Sequence, residues 1–188
     1  MRWELISDMR KSYFILIITT LILSSCNDET IKVASPEYYN LSAFFHQEAK
    51  ALTIANMKLD KQIIKDSIKE KKSFGKINWL NELSPFIECD INKPAWIKSY
   101  QTDTILTNAG MKITYKAIEE KLPVQTIELS FSKNKITDIS IHKVRHNFYY
   151  QSEDLYSYHV QKGYEISGSQ NVRLLDKTYY QIIALYLQ

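Results

Sequence analysis

The sequence predicts an α+β fold in which two N-terminal helices pack on one face of a C-terminal antiparallel β-sheet. Before Trp96, apolar residues recur at three- and four-residue steps, the period of a helix that is buried on one side. After Trp96 they recur at every second residue, the period of a half-buried strand. The 188 residues include 13 Tyr and only 4 Gly, a composition that suits strands. Helices followed by strands are typical of the α+β class.

The chain starts with the features of an export signal. Arg10 and Lys11 provide positive charge, and the apolar run from Tyr13 to Leu23 is shorter than the roughly 20 residues that span a bilayer. The run ends in the letters LSSC, with Cys26 last. This ending resembles a bacterial lipobox, in which the Cys thiol, a strong nucleophile, is acylated and the Cys becomes the first residue of the mature chain. We therefore expect lipidation at Cys26.

These features divide the chain into three parts. A lipoprotein signal peptide is predicted over residues 1–25, a lipidated tether over 26–36 and a single α+β domain over 37–188. The tether is short and polar. The remaining residues are numerous enough to bury a hydrophobic core of their own.

The start of translation has two candidates, Met1 and Met9. Glu4 and Asp8 lie between them, and acidic residues are unusual in the basic region of a signal peptide. Translation from Met9 would exclude both acids and leave a standard basic start. The sequence favours Met9 on this ground but leaves both starts open.

The first helix is predicted to begin at Ser35. Serine is a favourable N-cap, Pro36 suits the first helical position, and the carboxylate of Glu37 suits the positive end of the helix dipole. We expect one apolar face to be buried against the sheet, with its two phenylalanines and its second leucine largely buried. The residues of this face are Leu41, Phe44, Phe45, Leu52 and Ala55.

Two segments follow before Trp96. Residues 59–75 are highly charged and have few apolar positions, so they suit either a solvated extension of the first helix or an exposed hairpin. Residues 77–88 are predicted to form a second, shorter helix, which Pro85 kinks or divides. Its apolar face consists of Trp79, Leu80, Leu83, Phe86 and Ile87.

The alternating strands predict the register of one hairpin. The segments VQTIELSF and KITDISIHKV flank the letters KNK at residues 133–135. A three-residue loop there places Leu129 opposite Ile139 and Ile127 opposite Ile141, whereas a two-residue loop would place an aspartate opposite Leu129. Because apolar partners belong together on a buried face, we predict the three-residue loop.

The C-terminal part of the chain predicts two or three further strands. Its last segment, YYQIIALYL at residues 179–187, is apolar on both faces and predicts a central strand that is covered on both sides. Gly163 and Gly168 are candidate positions for a turn or a β-bulge.

Two stretches of the domain resemble a known group of proteins. The motif W-x-x-E-L-x-x-F-x-x-x-D-I-N-K-P-A-W, from Trp79 to Trp96, resembles a family of small uncharacterised lipoproteins of the Bacteroidota. The stretch GYEISGSQNVRLLDKTYY is similar to the C-terminal strands of that family. The resemblance implies a Gram-negative cell envelope. It implies no activity and carries over no catalytic residue.

The sequence offers little catalytic or metal chemistry. His142 and His146 are four residues apart, and in a regular strand that spacing spans about 13 Å, too far for one metal ion. His46 stands alone on the first helix, and His159 lies among tyrosines. Cys89 has no disulfide partner if Cys26 is acylated, and we expect it to be a small buried residue.

Other sequence features point the same way. There is no glycine-rich phosphate loop and no Gly-x-Ser-x-Gly motif in the sequence. We therefore predict no catalytic residue, no metal and no cofactor, and we expect the protein not to be an enzyme. The formal net charge of +3 is too balanced to predict a nucleic-acid partner.

The sequence leaves two functions open. The first is a lipoprotein of the cell envelope, anchored in the outer membrane by acyl chains on Cys26 and facing the periplasm or the cell surface, that binds a protein or helps assemble a complex. The second is a binder or carrier of a lipid or other apolar ligand. A roomy cavity between helix and sheet would favour the ligand, whereas a filled core with an exposed aromatic patch would favour a protein partner. The aromatic residues proposed to line a concave sheet face are Phe148, Tyr149, Tyr150, Tyr156 and Tyr158.

Overall fold

The computed structural model describes residues 36–108 and 110–187. The predicted signal peptide, nearly all of the predicted tether and the lipidation site at Cys26 lie outside these ranges. The described chain forms a nine-stranded antiparallel sheet with a small helical part. The helices are α1 (Leu41–Ile54), α2 (Trp79–Glu82), α3 (Ser84–Ile87) and a 3₁₀ turn (Pro94–Trp96). The strands are β1 (Lys58–Lys65), β2 (Ile68–Phe74), β3 (Tyr100–Thr107), β4 (Gly110–Ala117), β5 (Val124–Ser132), β6 (Lys135–His146), β7 (Tyr150–His159), β8 (Gly163–Val172) and β9 (Thr178–Leu187).

The strand order across the sheet is β2-β1-β9-β8-β7-β6-β5-β4-β3. From β4 to β9, each strand pairs with the strand that precedes it in the chain. The β1–β2 hairpin instead joins the sheet at the C-terminal strand β9. Because this hairpin lies between α1 and α2, the predicted order of helices first and strands afterwards holds only in part.

Helix α1 begins at Leu41, and residues 36–40 before it are not helical, so the predicted start is wrong; the predicted cap, Ser35, lies outside the described residues. The N-cap is Asn40, whose side-chain oxygen accepts a hydrogen bond from the backbone N–H of Ala43 at 2.7 Å. The chain before Asn40 is held by the sheet instead, because the ring of Tyr38 packs edge-on against two tyrosines of β3 and β4. This tertiary contact overrides the local preference of the Ser-Pro-Glu sequence for a helix start.

The predicted buried face of α1 is confirmed at its centre. Phe45 and Leu52 are buried, and Phe44 is half-buried with its ring 6.2 Å from that of Tyr158. Ala55, predicted on the same face, is exposed because the helix ends at Ile54 and Ala55 is its C-cap.

Residues 59–75, which the sequence left open between helix and hairpin, belong to the β1–β2 hairpin. Asp66 and Ser67 form its two-residue turn with φ values of 45° and 76°, the left-handed pair that tight hairpin turns require. Strand β2 is an edge of the sheet, and its run of exposed lysines suits an edge that resists pairing with other chains.

The predicted helix over residues 77–88 is divided into α2 and α3. Asn78 caps α2 by accepting a hydrogen bond from the backbone N–H of Asn81 at 3.1 Å. The break falls at Leu83, and Pro85 lies in the first turn of α3, where its missing N–H costs nothing. The predicted division at the proline is therefore confirmed.

The predicted register of the β5–β6 hairpin is confirmed, but the predicted loop is wrong. Leu129 lies opposite Ile139 and Ile127 opposite Ile141. The turn has two residues, Lys133 and Asn134, both with positive φ, because Ser132 pairs with Lys135. A register shift between the Ser130–Asp138 and Phe131–Ile136 pairs adds the missing residue as a β-bulge at Thr137.

The prediction that β9 is covered on both faces is wrong. Ala184 is fully buried, with Ile182 and Tyr186 packed against the core on the same face. On the opposite face, Tyr179 is 58% exposed and Leu185 is 53% exposed. The described helices cover one side of this strand only, so its second set of apolar side chains faces solvent.

The two glycine positions differ. Gly163 directly follows the β7–β8 turn with φ 135°, and a side chain there would collide with the backbone of Ala184. Gly168 pairs regularly with Asp154 and Tyr180 and forms no bulge. Its missing side chain instead leaves room for the hydrogen bond from the Tyr180 hydroxyl to the Asp154 carboxylate, at 2.6 Å.

Candidate functional site

Aromatic rings fill the space between the helices and the sheet. The ring of Phe45 lies 5.0 Å from the rings of Phe86 and Tyr158, and the ring of Phe86 lies 5.5 Å from those of Tyr156 and Tyr164. All five side chains are buried. The face of the sheet that carries these tyrosines is called the inner face below, and the opposite face is called the outer face.

Two inner-face tyrosines donate their hydroxyls to carboxylates. Tyr158 donates a hydrogen bond to Glu48 at 2.8 Å. Tyr164 donates one to Glu82, whose carboxylate also forms a salt bridge with Lys61 Nζ at 2.5 Å. Burial is the main cause that raises the pKa of both tyrosines, so each remains a neutral donor. These contacts make the region a packed core and not a ligand chamber.

Two of the open grooves at the surface are lined largely by apolar atoms. One of about 530 Å³ runs along the outer face beside the β1–β2 turn and includes Ile64, Leu155 and Tyr179. The other, of about 520 Å³, lies between the C-terminal half of α1 and the start of α2 and includes Ile54 and Trp79. Both volumes fall in the range of small-molecule sites.

The aromatic residues proposed to line one concave face do not lie together. Tyr156 and Tyr158 alternate onto the inner face and are buried in the core. Phe148 and Tyr149 belong to the β6–β7 turn and are 71% and 68% exposed. The proposed lining is therefore wrong, because strand alternation sends one pair inward while the turn sends the other pair out.

The β6–β7 turn holds its two aromatic residues in a defined position. The side-chain oxygen of Asn147 accepts hydrogen bonds from the backbone N–H groups of Tyr149 and Tyr150, each at 2.9 Å. The rings of Phe148 and Tyr149 meet edge to face with their centroids 4.8 Å apart. The turn therefore presents a preformed aromatic pair to the outside.

The β8–β9 turn lies beside it and adds two leucines. Leu174 is 96% exposed and has a φ of 71°, a conformation that is uncommon for a residue other than Gly, Asn or Asp. Leu175 is 68% exposed. Arg173 joins the two turns, because its backbone N–H donates to the carbonyl of Tyr149 at 2.9 Å and its guanidinium lies 4.4 Å from the ring of Phe148.

These two turns, residues 147–149 and 173–177, are called the turn pair below. The sequence pattern indicated the aromatic half of this surface but not Leu174 and Leu175. One signal was available: the letters RLLDK place two leucines between charged residues and between two strands, where a turn is expected to be polar.

The histidines are distributed over the surface. On the outer face, His142 Nε2 lies 3.0 Å from a Glu153 oxygen, and His159 Nδ1 lies 2.6 Å from an Asp138 oxygen. Burial acts to raise the pKa of Asp138, but hydrogen bonds from His159 and Thr137 outweigh it and lower that pKa. Within residues 36–108 and 110–187, no cluster of three or more His, Cys, Asp or Glu side chains is arranged to hold a metal ion.

Cys89 is buried, as the sequence predicted. Its Sγ lies 3.2 Å from the carbonyl oxygen of Pro85, to which the thiol donates. Burial raises the pKa of Cys89 to about 11, against the opposing effect of Lys143. The thiol is therefore protonated at neutral pH and is a poor nucleophile.

In the part of the chain that the structure describes, no helix combines the length and the hydropathy that crossing a membrane requires. Comparison of the chain with protein-family models, with curated proteins and with solved structures found no match. The turn pair and the two grooves are therefore judged by their own chemistry.

Proposed function

We infer that this protein is a lipoprotein of the cell envelope, anchored in the outer membrane by acyl chains on Cys26, and that its domain serves binding or assembly and not catalysis. The observation that carries the second half of the proposal is the contrast between a filled core and the exposed turn pair. A filled core offers no interior chamber to a ligand, while exposed aromatic and aliphatic side chains at rigid turns favour contact with another surface.

The anchor itself is supported by the sequence. A basic start, a short apolar run and the LSSC ending precede the polar tether. The Trp79–Trp96 motif adds the resemblance to lipoproteins of the Bacteroidota and supports a Gram-negative envelope. Two or more acyl chains on one Cys would hold the protein stably, since a single chain binds a membrane only marginally.

A non-enzymatic role is supported by the groups that could react. The thiol of Cys89 is buried and its pKa is raised to about 11. The pairs His142–Glu153 and His159–Asp138 are separate contacts at the surface of the outer face. In the described ranges, the hydrogen-bond partner of each imidazole is a carboxylate and not the hydroxyl or thiol of a nucleophile.

Binding of an apolar ligand is the alternative, and the outer-face groove favours it. Its volume of about 530 Å³ and its lining by Leu155 and Tyr179 would suit a small apolar molecule. The groove is open to solvent, so it would bury such a ligand on one side only. Binding of fatty-acid or phospholipid probes that is lost on Leu155→Asp would support this function over the first.

Replacement of Cys26 tests the anchor. In cells fed radiolabelled palmitate, Cys26→Ser should lose the lipid label and should no longer fractionate with membranes as a processed protein. Cys89→Ala is the matched control, because it removes the other cysteine and should keep the label. Unchanged labelling and membrane recovery of Cys26→Ser would refute the anchor.

A further inference from the structure

The described chain begins at the same end of the sheet as the turn pair. The carboxylate of Glu37 accepts a hydrogen bond from the backbone N–H of Lys98 at 3.1 Å, just before Tyr100 opens β3. Because neighbouring strands are antiparallel, the start of β3 lies at the end of the sheet where β6 and β8 finish. The turns that follow β6 and β8 are the turn pair.

The length of chain before Glu37 sets how far an anchored membrane can be. Fully extended, residues 26–35 reach at most roughly 35 Å. The anchor would therefore lie within about 35 Å of Glu37, a range that includes the end of the sheet at which Glu37 is fixed. The turn pair points out from that same end.

The chemistry of the turn pair matches the boundary region of a bilayer. Phe148, Tyr149, Leu174 and Leu175 provide exposed apolar surface. The exposed charges within and beside the two turns are Arg145, Arg173, Asp176 and Lys177, so cations prevail. Aromatic and aliphatic tips flanked by arginine and lysine suit the level where acyl chains meet anionic headgroups.

Two details of the turn pair suit contact with a membrane surface. Leu174 adopts φ 71° at a tip where it touches solvent, although glycine or asparagine would adopt that φ more readily. The guanidinium of Arg173 lies 4.4 Å from the Phe148 ring and leaves its charge at the surface. An apolar side chain held outward and a cation stacked behind an aromatic ring both suit insertion beneath a layer of phosphates.

Two turns at the opposite end of the sheet differ. The β5–β6 turn consists of Lys133 and Asn134, and the β7–β8 turn contains Gln161 and Lys162. These four side chains are exposed and polar. The apolar tips are therefore a property of particular turns and not of hairpin turns throughout this sheet.

We propose that the turn pair docks into the surface of an anionic phospholipid bilayer, the same membrane that carries the acyl anchor. This inference rests on the proposed anchor for its geometry. Together, anchor and turn pair would fix the domain with its strands steeply inclined to the membrane, so that the helices and the outer face stay in water.

A single fluorescent probe tests the docking in the full lipidated chain. Leu174→Cys introduces an exposed thiol that can be labelled with an environment-sensitive dye, while Cys89 is buried and Cys26 is acylated. Gln161→Cys is the matched control at the opposite end of the sheet. Both proteins are reconstituted in vesicles of phosphatidylethanolamine and phosphatidylglycerol, with and without brominated acyl chains.

Docking predicts a blue shift of the dye at position 174 and strong quenching by the brominated lipids, with neither effect at position 161. Arg173→Glu in the labelled Leu174→Cys chain should reduce both effects, and circular dichroism would confirm its fold. Equal exposure of both dyes to water, in a protein that stays on the vesicles, would overturn the docking but not the anchor. That result would favour a protein partner, and not a membrane, as the surface that covers the turn pair.

The mass of the protein shows whether acyl chains are attached, and it therefore distinguishes failure of the anchor from failure of the docking. A chain without acyl groups refutes the proposed anchor directly. Leu174→Cys and Gln161→Cys are then labelled in a Cys26→Ser background, which removes the free Cys26 thiol, and mixed with the vesicles: a blue shift at position 174 alone would support docking by the turn pair, and an unchanged spectrum would overturn it.

Discussion

Phe45 and Phe148 belong to the same domain and meet opposite surroundings. The side chain of Phe45 is fully buried and touches Phe86 and Tyr158, each with ring centroids 5.0 Å away. The side chain of Phe148 is 71% exposed and is backed by the Arg173 guanidinium. Packing requires a large apolar side chain at Phe45, because its ring fills the space that is enclosed between helix and sheet. No packing in the described chain requires the second.

Residues such as Phe45 stabilise the fold, whereas residues such as Phe148 are exposed by the fold and are available to bind another surface. In the core, tyrosines and phenylalanines pack ring against ring, and the hydroxyls of Tyr158 and Tyr164 donate to carboxylates. In the turn pair, the backbone is fixed by Asn147 while the side chains are free to meet another surface. Rigid backbone with exposed apolar side chains is the arrangement of a recognition surface and is costly to leave in water.

The largest expected effect is unfolding at alkaline pH, which depends on the inner face alone. Burial is the main cause that raises the pKa of Tyr158, Tyr164 and Tyr156 above the ordinary value. The folded state therefore holds their protons more tightly than the unfolded state. Their contribution to stability is complete below the unfolded pKa of about 10 and falls as the pH rises above it.

Absorbance and circular dichroism measured together would check this. We expect tyrosinate absorbance from the inner face to rise in one step with loss of the near-ultraviolet signal above about pH 10. A gradual rise of tyrosinate from all tyrosines, with the fold intact, would mean that the inner face is open to hydroxide.

The next effect is the cost of removing one ring from each region. Phe45→Ala should lower the free energy of unfolding by about 3–5 kcal/mol, because it leaves a cavity between helix and sheet. Phe148→Ala is the matched change in the turn pair and should cost below about 1 kcal/mol, since it removes an exposed ring and one cation–π contact. Urea unfolding measures both. Similar losses in the two variants would abolish the distinction between the regions.

The smallest effect has the opposite sign. Leu174→Gly should raise the free energy of unfolding by about 0.5–1 kcal/mol, because glycine adopts φ 71° without the steric cost that leucine bears. Leu175→Gly is the control: its φ is not positive, so the added freedom of the unfolded chain should lower stability. Thermal unfolding of both variants gives the sign. A loss on Leu174→Gly would mean that Leu174 stabilises the fold.

The local alternation of apolar residues predicted which residues pair across strands better than it predicted the turns that connect the strands. The alternation around Leu129 and Ile139 was sufficient to fix their pairing, because only that register buries both. The same pairing can be reached by a three-residue loop or by a two-residue turn with a bulge. The choice of Thr137 as the bulge depends on how the sheet twists, which no short segment specifies.

Other errors arose where distant residues decide the outcome. The helix is capped by Asn40 and not at the predicted position, because the sheet holds Tyr38 in the segment just before the helix. The outer face of β9 is open because the described helices lie on one side, which its own apolar sequence cannot reveal. The turn pair was only half recognised because its two halves are joined through the backbone of Arg173 and are far apart along the chain.

The pairing of β1 with β9 joins the two ends of the described chain. The meander from β3 to β9 closes neighbour by neighbour, so its strands can pair as they are synthesised. The β1–β2 hairpin is made early but finds its place only beside the last strand. Synthesis proceeds from the N-terminus, so a nascent chain keeps β1 without its partner until residues 178–187 have emerged. Completion of the sheet therefore requires synthesis through β9, and a chain truncated before Thr178 should leave its hairpin unattached and open to proteases.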